Sequence, residues 1–181
     1  MTRDDALKLI SQHVSQKNLV KHMLAVEAVM RRLARFFDED ESAWAMAGLL
    51  HDLDYDETVQ DFASHGYKTA AILESYDIPE EIIQAIKSHP GHVARISLMD
   101  KALYAADPVT GLIAAAALMH PSKKLRNVDT AFVERRFGEK RFAAGANRDQ
   151  IRTCEEMGLP LADFIAMSLE AMQSIDSELG L

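Results

Sequence analysis

His51 and Asp52, two residues able to hold a cation or move a proton, close an apolar run, AGLLHDLDY (47–55), and a second carboxylate, Asp54, follows two positions on. Similar polar groups recur in apolar settings. His22 is in line with Val26, Val29 and Leu33, His65 opens HGYKTAAILESY (65–76), His89 closes PEEIIQAIKSH (79–89), and Asp107 closes YAAD (104–107). A buried imidazole or carboxylate is costly unless it is paired or bound to a metal. If these helix ends converge, a shared cation is the economical way to satisfy them all. Imidazole and carboxylate donors suit Fe, Mn, Zn or Ni rather than calcium, which prefers oxygen alone. A cation lowers the pKa of a bound water from about 15.7 to about 7, and two cations about 3.5–4 Å apart can clamp the attacking and leaving oxygens of a phosphoryl transfer. A bridging carboxylate would hold that separation.

Each residue also has an ordinary reading. His22 could be a core histidine bonded to a carbonyl, and Asp107, preceding Pro108, could cap the helix that follows. His65 could sit in a loop, and His89 could be a helix-terminal histidine favoured by the dipole. Asp54 reads equally as a carboxylate orienting a ligand histidine or as a turn former.

The elements that must position these groups are helices. NLVKHMLAVEAVMRRLARFF (18–37) carries Met23, Val26, Met30, Leu33 and Phe37 at spacings of three and four, an amphipathic stripe. Helices are also expected over 41–53, 65–76, 79–89, 97–106 and 108–120, with further helical segments in the C-terminal third. No stretch shows the sustained alternation of a strand, so the expected fold class is all-α. Pro121-Ser122 reads as a helix start, which would place the one cationic island, Lys123, Lys124 and Arg126, where helix N-termini attract phosphate. The competing reading of that run is a solvated face.

Composition narrows the function classes. With 181 residues the chain is long enough for a sizeable core, and a net charge of −8 argues against general nucleic-acid binding. Cys154 is the only cysteine, which excludes an internal disulfide and thiolate zinc sites. The acidic, amphipathic N-terminus does not read as a secretory signal, and the run GLIAAAALM (111–119) is too short to span a bilayer. The expectation is a soluble, cytoplasmic protein with no membrane partner.

The order His22, then His51-Asp52, then the aspartate of YAAD at Asp107 resembles the H…HD…D signature of the HD superfamily of metal-dependent phosphohydrolases, over roughly residues 19–110. The segments ADPVTGLI, PSKKL and FAAGANRDQI are similar to those of a small subgroup of bacterial HD-domain hydrolases. The resemblance implies an HD-type helical bundle with its metal-binding core over about 18–120 and extra C-terminal helices over about 121–181. In two-metal members such as the HD-GYP phosphodiesterases, two further histidines lie between the HD pair and the last aspartate, places that His65 and His89 occupy here. By resemblance, His22, His51 and Asp107 hold a first divalent transition metal ion, His65 and His89 a second, and Asp52 bridges as the catalytic carboxylate. The chain departs from that branch in lacking a GYP motif and in having a single His89 before a proline, with His92 as a possible neighbour.

The expected activity is hydrolysis of a small phosphorylated substrate, a nucleotide first, with one or two Fe, Mn, Zn or Ni ions as cofactor and Lys123, Lys124 and Arg126 binding substrate. Two rivals stand beside it: an HD-fold diiron oxygenase, and a catalytically silent binding or regulatory module.

Overall fold

The computed structural model describes residues 1–181 and contains eleven α-helices and no strand. In order these are α1 (Arg3–His13), α2 (Lys17–Phe37), α3 (Glu41–Leu50), α4 (Tyr55–Thr58), α5 (Tyr67–Leu73), α6 (Glu80–Ser88), α7 (Leu98–Met119), α8 (Thr130–Gly138), α9 (Arg148–Arg152), α10 (Leu161–Gln173) and α11 (Asp176–Leu179). Short 3₁₀ turns lie at Phe62–Ser64, Leu125–Asn127 and Thr153–Met157. The all-α bundle is as expected.

Local chemistry sets the helix starts. Thr2 and Asp5 form a capping box on α1, and Ser97 and Asp100 form another on α7. Asp40 caps α3 by accepting from the amides of Ser42 and Ala43. The helices α2 and α3 approach closely because position 48 is glycine. A Cβ there would lie 2.9 Å from the Val26 carbonyl oxygen and 3.0 Å from the Glu27 nitrogen.

The helix α7 runs through the middle of the bundle and packs on α2, α3, α6, α8, α9 and α10. The two helices expected over 97–106 and 108–120 are this one element, with Pro108 in its interior. Proline lacks the N–H that would bond the carbonyl four residues back, an omission that normally breaks or kinks a helix. Here the Tyr104 carbonyl freed by Pro108 accepts instead from Gln150 Nε2 at 2.8 Å, so α9 supplies the missing donor. Asp107 is therefore a mid-helix residue and caps nothing.

By length and composition α7 could cross a bilayer, but 56% of its apolar window is buried, and its apolarity serves the core. Buried apolar side chains from Ala6 to Leu179 form one continuous cluster, in which α10 contributes Phe164, Ile165 and Leu169 beside Val26 and Met30 of α2 and Leu112 of α7.

Candidate metal centre

His51 is the residue at which α3 ends, with an αR backbone, and His89 ends α6 in the same way. In each case the imidazole folds back so that Nδ1–H donates to the carbonyl three residues earlier: His51 to Gly48 at 2.8 Å, His89 to Ile86 at 2.6 Å. His22, within α2, donates from Nδ1 to Thr110 Oγ1 at 3.0 Å. Because the Thr110 hydroxyl gives its own hydrogen to the Asp107 carbonyl, it can only accept from the imidazole.

His65 lies ahead of α5 and does not begin it as expected; Gly66, at φ +79°, makes the turn between them. A Cβ on Gly66 would also meet the Ile86 carbonyl at 2.9 Å, so this turn requires glycine. His65 Nδ1 donates to Asp54 Oδ1 at 2.7 Å, while Asp54 Oδ2 accepts from the amides of Gly66 and Thr69. Asp54 thus orients a histidine, the first of its two readings.

With all four Nδ1 atoms engaged, the four Nε2 atoms face one another around Asp52. Asp52 Oδ2 lies 3.5 Å from His22 Nε2 and 3.4 Å from His51 Nε2, which are 3.2 Å apart. Asp52 Oδ1 lies 3.3 Å from His65 Nε2 and 3.4 Å from His89 Nε2, which are 3.1 Å apart. Asp107 Oδ1 joins the first group at 3.1 Å from His22 Nε2. The structure brings together all six of the expected residues and divides them into two sets that share Asp52.

The electrostatics call for positive charge between these groups. Burial alone would raise the Asp52 carboxyl, yet His51, His65 and His89 around it hold it well below the ordinary carboxylate range. Burial opposes charge on His65, but Asp52 and Asp54 outweigh it and push that imidazole up to about 9. His51 is likewise raised against its own burial, chiefly by Asp52, whereas burial holds His89 down and neutral. A divalent ion fits the space between the two imidazoles and the Asp52 oxygen of each set. Nitrogen and oxygen ligands about 2.0–2.2 Å from one ion stand about 2.9–3.5 Å from each other, which is the spacing observed.

The cluster opens into a cavity of about 470 Å³ lined by Gln16, Leu19, Tyr55, Phe62, Gly145 and Gln150 among others, and by no lysine or arginine. Lys123, Lys124 and Arg126 are not at its rim. They follow the far end of α7, about 18 Å or more along the helix axis from Asp107. The segment is a turn followed by a 3₁₀ turn, with Lys123 left-handed at φ +51°, and not the expected helix start. Arg126 is paired with Asp176 at 2.7 Å. His92 also stays outside the cluster, where its Nε2 donates to the Phe62 carbonyl at 2.8 Å.

Three contributors escaped the sequence reading: Thr110, Gln150 and the aromatic pair Tyr55 and Phe62. Thr110 was open to detection, since it follows Asp107 by three positions and so shares its helix face.

The family profile of the HD domain matches residues 19–112. A protein named Ribonuclease Y from Sulfurovum sp. (strain NBC37-1) is 27% identical over 136 residues, which cover 74% of this chain and 27% of that protein. The chain thus spans about a quarter of the length of this curated relative. No solved structure matches it significantly.

Proposed function

The chain belongs to the HD domain family, and on that premise we propose that it is a metal-dependent phosphohydrolase acting on a small phosphorylated compound, a nucleotide before others. The observation that carries the reading is Asp52, whose two oxygens face two separate imidazole pairs at the floor of an open cavity. His22, His51, Asp107 and Asp52 Oδ2 would hold one ion, and His65, His89 and Asp52 Oδ1 a second. Such ions supply Lewis acidity, acidifying a water and neutralising charge on phosphoryl oxygens.

The protein's own groups do the rest. Nδ1 bonds to Gly48, Ile86, Thr110 and Asp54 fix each ring's tautomer, so each neutral ring offers its Nε2 lone pair. The residues around the cluster are largely buried apolar side chains, and the cavity lined by Tyr55 and Phe62 gives access to it.

The similarity to a protein named Ribonuclease Y brings RNA phosphodiesters into the candidate substrate class. The absence of lysine and arginine from the lining, and the net charge of −8, weigh against a polynucleotide, whose backbone binds through cationic side chains. The deciding experiment separates hydrolase from oxygenase. Anaerobic protein reconstituted with Mn²⁺ is expected to release phosphate from at least one nucleotide, because hydrolysis needs only a Lewis acid. Strict dependence of turnover on iron and O₂ would overturn the assignment.

A further inference from the structure

Two aromatic rings stand in the cavity mouth with much of their surface in solvent, Tyr55 at 38% and Phe62 at 58% exposure. Phe62 is nevertheless held in place. Its carbonyl accepts from His92 Nε2, its ring meets the His92 ring edge-on at 5.2 Å, and His92 in turn stacks on Tyr67 at 5.6 Å. Tyr55 is anchored beside Asp56, which accepts from Ser15 and Gln16 and so fastens the start of α4 to the α1–α2 connection. An apolar ring fixed at a cavity mouth with an open face is a surface for another flat ring.

Two amides of the polar lining are held in fixed orientations. Gln16 Nε2 donates to Asp56 Oδ1 at 2.6 Å, and Gln150 Nε2 donates to the Tyr104 carbonyl at 2.8 Å. A carboxylate and a carbonyl can only accept, so these bonds fix both amide orientations and leave each Oε1 as an open acceptor. The cavity therefore offers flat apolar surface, acceptors for hydroxyl or amino donors, a metal centre for a phosphoryl group, and no lysine or arginine. Its volume of about 470 Å³ is within the range of small-molecule sites.

We propose that Phe62, with Tyr55, is a stacking platform for the base of a mononucleotide. The sugar hydroxyls or exocyclic amino group of that ligand donate to Gln16 and Gln150, and its phosphate lies at the His/Asp cluster. The placement of the phosphate rests on the phosphohydrolase reading; the platform itself does not.

The test compares two non-cleavable phosphonate isosteres, of adenosine monophosphate and of ribose 5-phosphate, titrated calorimetrically into Mn²⁺-loaded protein. In Phe62→Ala the ratio of the two affinities should fall by about 5- to 150-fold, the loss of one base–aromatic stack. Phe62→Trp should restore the ratio, and Phe62→Leu, apolar but without a π face, should not. A ratio in Phe62→Ala within twofold of wild type, or equal affinity of wild type for both isosteres, would overturn the platform. Phosphate release from adenosine monophosphate itself is scored separately. Release with an unchanged ratio removes the platform and keeps the hydrolase; a fallen ratio with no release from adenosine monophosphate or any other nucleotide does the reverse.

Discussion

Replacing Asp54 by asparagine isolates the orientation of one imidazole from everything else in the centre. Asp54 is fully buried and accepts three hydrogen bonds, from His65 Nδ1 at 2.7 Å and from the amides of Gly66 and Thr69 at 2.8 and 2.9 Å. In Asp54→Asn the amide oxygen must turn to the two backbone donors, because they have no other partner. The amide nitrogen then faces His65 Nδ1, which has to become an acceptor. The imidazole proton moves to Nε2, the atom that points at Asp52 and His89. The lone pair meant for an ion is thereby occupied.

Loss of such an orienting partner typically weakens metal binding by about 10–100-fold, or about 1.4–2.7 kcal/mol. The loss should fall on the His65–His89 set and spare the set of His22, His51 and Asp107. Asp54→Ala would be a poorer probe, since three orphaned donors at about 1–3 kcal/mol each approach the whole stability of a domain.

Metal titrations by calorimetry give the first readout, and the pH dependence of the metal-free protein gives the second. His65 is raised from an ordinary value of about 6.5 to about 9. A raised imidazole stabilises the fold fully below about pH 6.5, and that contribution is lost as pH rises through about 9. In Asp54→Asn, with one of the two carboxylates gone, the decline in melting temperature should still begin near about pH 6.5 but be smaller and end at lower pH. Wild-type affinity at both sets, together with an unchanged pH profile, would refute the tautomer argument.

Other expectations follow from the same geometry. His65→Ala and His89→Ala should each lower metal stoichiometry by about one ion by elemental analysis while the first set stays filled; full stoichiometry in both would leave a mononuclear site. Gly48→Ala should destabilise the fold by about 1–3 kcal/mol in denaturant titrations, since its Cβ meets α2 backbone at 2.9 Å. Gly111→Ala, in the interior of α7 with nothing within 4 Å of the new Cβ, should stabilise by about 0.4–1 kcal/mol in the same titrations. Cys154, buried and with its thiol pushed up to about 11, should resist alkylation at pH 8 in the native state and react once denatured.

The parts of this centre that could be read from sequence were those in which a polar residue interrupts an apolar helix. AGLLHDLDY announces its own ending, and His22 stands out on the Val26–Leu33 stripe, because burial makes such residues expensive and therefore informative. The partners of His51 and His89 carry no side-chain signature, being the carbonyls of Gly48 and Ile86. Asp107 was misplaced at a helix end because Pro108 is a sound local signal for a boundary, and the donor that overrides it, Gln150, is remote in sequence. The run of Lys123, Lys124 and Arg126 shows the opposite weakness. Charge specifies a preference for solvent or anions but no location, and here the helix before it is too long to bring it back to the cavity.

The link from Gln150 to Tyr104 bears on modularity. The stretch that matches the HD profile ends at residue 112, within α7, whereas the group that repairs the proline gap four residues earlier belongs to α9. A chain cut after Leu112 would strand the Tyr104 carbonyl and uncover the side of α7 that α8, α9 and α10 cover. The matched stretch thus shares its packing and hydrogen bonding with helices outside it. Domain-grafting or minimisation of this protein has to carry the C-terminal helices along, because the carbonyl freed by Pro108 in the helix that presents Asp107 is satisfied from outside the homologous segment.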